Sequence, residues 1–186
     1  MPRIYVALDL PENVVDQVER LCVGLPDVRW ADPDDLHITL RFIGEVDEPT
    51  FEEVGEALAH VTAAPFELQL QGIGHFPPRG EPTTLWIGVA PSEGLQQLKR
   101  RVDRQLASLG IPSETRKFAP HLTIARLRGS LPENRLGAFL KRLSLYRSEP
   151  FTVNGFTLYS SFLRSDGAIH TPEATYDFVQ GIAERV

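Results

Sequence analysis

A mixed α+β fold built from two related halves is predicted for this chain of 186 residues, and three observations predict it. Strand and helix periodicities alternate as strand–helix–strand–helix in the first half and do so again in the second. A His-x-Thr-x tetrapeptide stands once in each half, at His37 and at His121. No linker or low-complexity run separates the halves, so residues 1–186 are expected to form one domain, or one domain built of two lobes.

Residues 3–10 are β-branched and aromatic and end at Pro11, which predicts a strand. Val14, Val15, Val18, Leu21 and Cys22 then recur at helical spacing, with Gly24 and Pro26 as the stop. Residues 36–43 alternate, Leu36, Ile38, Leu40 and Phe42 on one face and His37, Thr39 and Arg41 on the other, as in a half-buried strand. A second helix is expected from near Pro49, burying Phe51, Val54, Leu58 and Val61. Strands are expected at 66–73 and 83–90, with a Gly/Pro-rich connection between them. A third helix over roughly 92–109 carries Leu95, Leu98, Val102, Leu106 and Leu109 on one stripe. A strand at 121–127, a helix through Leu136, Phe139, Leu140 and Leu143, and strands at 150–163 and 168–178 complete the chain.

Composition narrows the function classes. The chain is 42% apolar and 24% charged, with no uninterrupted apolar run of membrane-spanning length. The first apolar stretch, Ile4 to Leu8, is broken by Asp9 and lacks a cleavage pattern, so the expected location is the cytoplasm; nothing in the sequence suggests an obligate assembly, and the expected state is a monomer. A single cysteine, Cys22, excludes an intrachain disulfide and a multi-cysteine metal cluster, and it reads as a small hydrophobe. The net charge of −6 argues against a protein that coats nucleic acid non-specifically. Between Lys99 and Arg128, however, eight basic residues face two acidic ones, +6 against −12 for the rest of the chain. That suits a site for one anionic group, or a helix face in solvent where Lys99 to Arg104 are concerned.

The paired tetrapeptides carry the chemistry. In His37-Ile38-Thr39-Leu40 and His121-Leu122-Thr123-Ile124, histidine and threonine share a strand face about 6–7 Å apart while the aliphatic residues point to the core. Each copy follows a turn signal, Pro33-Asp34-Asp35 or Ala119-Pro120. One His-x-Thr-x is common. Two, in matching strands, are hard to obtain by chance. Opening a cyclic phosphodiester requires a water deprotonated on one side of phosphorus and a leaving oxygen protonated on the other. Imidazole does either near neutral pH, with limbs of a bell-shaped pH profile expected on both sides of neutrality. The threonine hydroxyls can donate to oxygens that gain charge in the transition state. No metal or other cofactor is expected, because no His/Cys/carboxylate spacing supports one.

Further residues complete the resemblance to a known family. Arg3 to Leu10, Arg29-Trp30, Leu36 to Glu45, Gly74-His75-Phe76-Pro77 with Leu85-Trp86-Ile87-Gly88, Lys117 to Arg126, and Phe156 to Tyr176 together resemble the 2H phosphoesterases. Within them the likeness is to the bacterial and archaeal RNA 2′,3′-cyclic phosphodiesterases, also called 2′-5′ RNA ligases. His170 stands where that family more often has tyrosine, outside the paired motifs. The resemblance implies a two-lobed, pseudo-symmetric α+β fold, with antiparallel sheets flanking a central cleft and helices outside. It implies His37 as proton donor and His121 as proton acceptor, and a 2′-phosphate product. Its implied partners are RNA ends or oligonucleotides bearing a 2′,3′-cyclic phosphate, with small cyclic nucleotides as simpler substrates.

Four more residues are candidates for substrate binding. Arg41 shares the face of His37 by alternation, or is a rim residue in solvent. Arg126 follows His121 by five and on a regular strand would point away from it; the resemblance places it by the phosphate, which requires a bulge or a strand end there. Phe42 and Phe118, like Trp30, could stack on a base or pack in the core. His75 reads as a loop residue and His60 as a favourable helix-end charge. Two other functions compete: ATP-independent 2′-5′ RNA ligation by the reverse chemistry, and a module that binds nucleotide or RNA ends without turnover. No Gly-x-x-x-x-Gly-Lys phosphate loop is present.

Overall fold

The computed structural model describes residues 1–165 and 167–178. Ten strands and four helices run β1 (Arg3–Asp9), α1 (Glu12–Leu21), β2 (Val28–Trp30), β3 (His37–Glu45), α2 (Glu48–Leu58), β4 (Phe66–Leu68), β5 (Leu70–Phe76), β6 (Thr84–Val89), α3 (Glu93–Ser108), β7 (His121–Leu127), α4 (Glu133–Leu143), β8 (Phe151–Val153), β9 (Gly155–Arg164) and β10 (Gly167–Asp177). The periodic segments thus fold as the sequence predicts. Three-residue β2 escapes periodicity because it is shorter than the window that reveals a pattern. Two expected strands divide, the one at 66–73 at Gln69 and the one at 150–163 at Asn154: β4 pairs with β8 in a small separate sheet, and β5 and β9 join the main one.

The main sheet runs β10-β9-β1-β3-β7-β6-β5, with every pairing antiparallel. Its two halves, β10-β9-β1-β3 and β7-β6-β5, meet at a single residue pair, Ile38 with Leu122. Beyond that pair β3 leaves β7, and β2 takes its place along the far part of β7. Two antiparallel lobes joined at one point and then diverging create a cleft.

The apolar alternation explains the layers. Ile4, Val6 and Leu8 of β1 are fully buried in the main core, with Ile38, Leu40, Leu122 and Ile124 of the motif strands. Val14, Val18, Val54, Leu58, Leu95, Leu98, Val102, Leu106, Phe139 and Leu143 bring the four helices onto that core. Capping sharpens two helix starts: Thr50 N–H donates to Asp47 at 3.0 Å, and Leu95 N–H to Ser92 at 3.2 Å. The alternate residues of β1, Tyr5 and Ala7, join Tyr159 in a second small cluster on the opposite face. That face is the floor of the cleft. Among the described residues no helix is long and apolar enough to cross a membrane.

Candidate active site

The two tetrapeptides meet in the middle of the sheet. With Ile38 opposite Leu122, the antiparallel register one residue either way sets His37 beside Thr123 and Thr39 beside His121. The histidines are therefore diagonal neighbours, roughly 7–8 Å apart at the backbone. All four residues line one cavity of about 570 Å³, a volume suited to a nucleotide-sized ligand.

Both motif strands then break their alternation in the same way. On β3 the pairing with β1 passes from Thr39↔Ala7 to Arg41↔Val6, leaving Leu40 as an extra residue. On β7 the pairing with β6 passes from Thr123↔Trp86 to Ala125↔Leu85, leaving Ile124 extra. A bulge turns the following residues over. From each histidine onward the burial runs half-buried, buried, half-buried, buried, buried, exposed. The sixth residues, Phe42 and Arg126, consequently swing onto the histidine face and line the cavity. Of the two ways to bring Arg126 onto the histidine face, a bulge or a strand end, the bulge is present.

The same bulge overturns the expectation for Arg41. Instead of sharing the face of His37, Arg41 is 3% exposed and turned towards α3. Its guanidinium donates to Asp103 at 2.9 Å and to the Pro112 carbonyl, and lies 4.0 Å from Glu114. Lys99 joins the cluster, 2.9 Å from both Asp103 and Glu114. Lys99, one of the eight basic residues of the basic segment, is thereby neutralised within the fold. Phe118 is not among the cavity's lining residues either; it packs against the core with Lys99 Nζ 5.3 Å from its ring centre. Trp30 does line the cavity, resting on Phe139.

His121 sits against the β5–β6 hairpin, edge-on to Phe76 at 5.0 Å and 6.0 Å from Trp86. Trp86 lies flat over Gly74, where a Cβ would come within 2.3 Å of the indole, so only glycine admits this wall. His121 Nδ1 is 2.8 Å from the Ala119 carbonyl. A carbonyl only accepts, so Nδ1 carries the proton and a neutral His121 presents a bare Nε2. His75, read from sequence as a loop residue, lies in β5 and donates Nδ1–H to the Pro77 carbonyl at 2.7 Å.

His37 has a different setting. Tyr5 and Tyr159 stack on it at 5.2 and 5.3 Å, and His170 approaches edge-on at 5.7 Å. Its Nδ1 is buried without a hydrogen-bond partner, leaving Nε2 to face the cleft. Burial, and then the charge of His170, push its pKa down to about 4, with Asp9 opposing. Asp9 accepts from Thr157 at 2.7 Å and from the Tyr159 hydroxyl. On the rim, burial raises the pKa of Asp35 while His170 and Arg29 pull it down. Arg29 lies over Gly167, whose φ of +141° and missing Cβ leave room for the guanidinium at the tip of the β9–β10 hairpin.

His170, which the sequence places outside the paired motifs, lines the cavity with Tyr5, Arg29 and Asp35. The two-residue period of β1 could have signalled Tyr5. No local signal reveals His170, because its position depends on the long-range register of β9 and β10. Among the described residues no group of three or more His, Cys, Asp or Glu side chains is placed to hold a metal ion.

Comparison with known proteins agrees with this fold. The chain is 35% identical over 148 residues to an RNA 2′,3′-cyclic phosphodiesterase of Aeropyrum pernix, covering 79% of this chain and 84% of that protein. It is 32% identical over 171 residues to an RNA 2′,3′-cyclic phosphodiesterase of Archaeoglobus fulgidus, covering 90% and 96%. The crystal structure of E. coli LigT complexed with 3′-AMP superposes with a TM-score of 0.75 at 25% identity, over 97% of this chain and all of that one. The profile of the 2′-5′ RNA ligase superfamily matches residues 10–161, and the chain belongs to that superfamily of 2H phosphoesterases.

Proposed function

We propose that this protein hydrolyses 2′,3′-cyclic phosphate ends of RNA to 2′-phosphate ends by general acid–base catalysis. The observation that carries the reading is the pair of His-x-Thr strands joined at Ile38 and Leu122, with both histidines facing one cavity. The bare Nε2 of His121 takes a proton from water as the water oxygen adds to phosphorus. The P–O3′ bond breaks, and His37 gives O3′ its proton. Thr39 and Thr123 donate to the non-bridging oxygens as these gain charge. Arg126 supplies a positive charge, and Phe42 and Trp30 offer apolar faces to the base. The curated relatives from Aeropyrum and Archaeoglobus bear the name of this activity.

The decisive experiment is product analysis on an RNA with a 2′,3′-cyclic end, run with and without chelator. A 2′-phosphate should form at the same rate in both. A 3′-phosphate would reverse the identity of the leaving oxygen, and loss of activity with chelator would require a metal. Adding an RNA with a 5′-hydroxyl to the same assay reports ligation, in which that hydroxyl replaces water.

The position of His37 sets a pH prediction. An acid must be protonated, so activity falls as pH rises through its pKa. In the free protein burial holds that pKa near 4; a bound phosphodiester anion favours the imidazolium and raises it. The alkaline limb assigned to His37 should therefore lie at higher pH in kcat, which reports the complex, than in kcat/KM, which reports the free protein. Coincident limbs in the two profiles would remove His37 from the role of acid.

A further inference from the structure

A third imidazole shares the cavity. His170 enters from β10, with its Nδ1 2.8 Å from the Tyr5 hydroxyl. Tyr5 is 4% exposed, and among the described residues its hydroxyl has no other hydrogen-bond partner. A buried hydroxyl needs an acceptor for its proton, so Tyr5 O–H donates to His170 Nδ1. With that lone pair engaged, neutral His170 carries its proton on Nε2. His121 is the opposite case, since its Nδ1–H is committed to the Ala119 carbonyl and its Nε2 is bare. One cavity thus holds an imidazole that accepts a proton and another that offers an N–H.

We infer that His170 is a further substrate-contacting residue of this site, its Nε2–H donating a hydrogen bond to a non-bridging phosphate oxygen in the tautomer that Tyr5 selects. The assignment rests on the cyclic phosphodiesterase reading for its substrate. It completes a donor set. The cyclic ester has two non-bridging oxygens, the 2′-phosphate product has three terminal ones, and Thr39, Thr123 and His170 supply three donors from three strands. A donor already aimed when charge develops contributes without reorganisation.

His170→Phe keeps a ring and removes both nitrogens; His170→Gln returns an N–H donor. With a 2′,3′-cyclic nucleotide, His170→Phe should lower kcat by about 10²-fold, the lower end for one oxyanion donor, and His170→Gln should recover most of that loss. Tyr5→Phe should cost less, and adding it to His170→Phe should cost little more, because the two act through one hydrogen bond. Equal rates for the Phe and Gln variants would mark His170 as packing only and overturn the assignment. Long-range 1H–15N spectra test it without turnover: His170 should appear as the Nε2–H tautomer, and Nε2 should shift on titration with inorganic phosphate. An Nδ1–H tautomer, or an Nε2 signal indifferent to phosphate, overturns it. If the protein opens no cyclic phosphodiester while Nε2 still responds to phosphate, the proposed reaction fails and the phosphate contact of His170 stands.

Discussion

Replacing His121 with alanine should lower turnover of a 2′,3′-cyclic nucleotide by at least about 100-fold, and His37→Ala by a comparable factor, the lower bound for loss of a general base or acid. The two losses have different structural origins. His121 is held in one tautomer by the Ala119 carbonyl and walled by Phe76 and Trp86, so its deletion removes a base that is already aimed. His37 is held by Tyr5 and Tyr159, and its deletion removes the only proton source proposed for O3′. Because acid and base serve one transition state, the double variant should lose far less than the product of the two single losses. Steady-state rates of the four proteins on one cyclic nucleotide decide the matter. Either single variant working at near-wild-type rate would sink the role given to that histidine.

How far the sequence carries can be followed residue by residue. Helices and long strands were legible because Val14 and Val18, or Leu95, Leu98 and Val102, repeat at the spacing their burial demands. The two tetrapeptides were legible because the first four residues of each motif strand keep the two-residue period. After Leu40 and Ile124 that period fails. A bulge is set by the partner strand, β1 or β6, and leaves no mark in the bulged segment itself. Alternation therefore assigned Arg41 to the site and Phe42 to the core face, and both go the other way. His170 shows the same limit at longer range. Its place beside His37 follows from β10 pairing with β9, β9 with β1 and β1 with β3, a chain of registers that no local pattern encodes.

The misplaced arginine yields the largest expected effect on stability. Arg41→Ala should destabilise the protein by roughly 2–4 kcal/mol while leaving kcat within a few-fold of wild type. Removing one member of a buried ion pair costs about 3–5 kcal/mol when the remaining charge is stranded. Here Asp103 and Glu114 are 34% and 38% exposed and retain Lys99 as a partner, so solvent and Lys99 relieve part of that cost. Arg41 itself, 3% exposed, also leaves a void against α3. Arg126→Ala should behave in the opposite sense, because its side chain lines the cavity and is exposed: a raised KM for a cyclic phosphodiester and a nearly unchanged melting temperature. Thermal unfolding and steady-state kinetics on the two variants separate the alternatives. If Arg41→Ala weakened substrate binding without lowering the melting temperature, the Leu40 bulge could not be directing Arg41 away from the cavity, and the shared β3/β7 geometry that brings Phe42 and Arg126 to the cavity would fail with it.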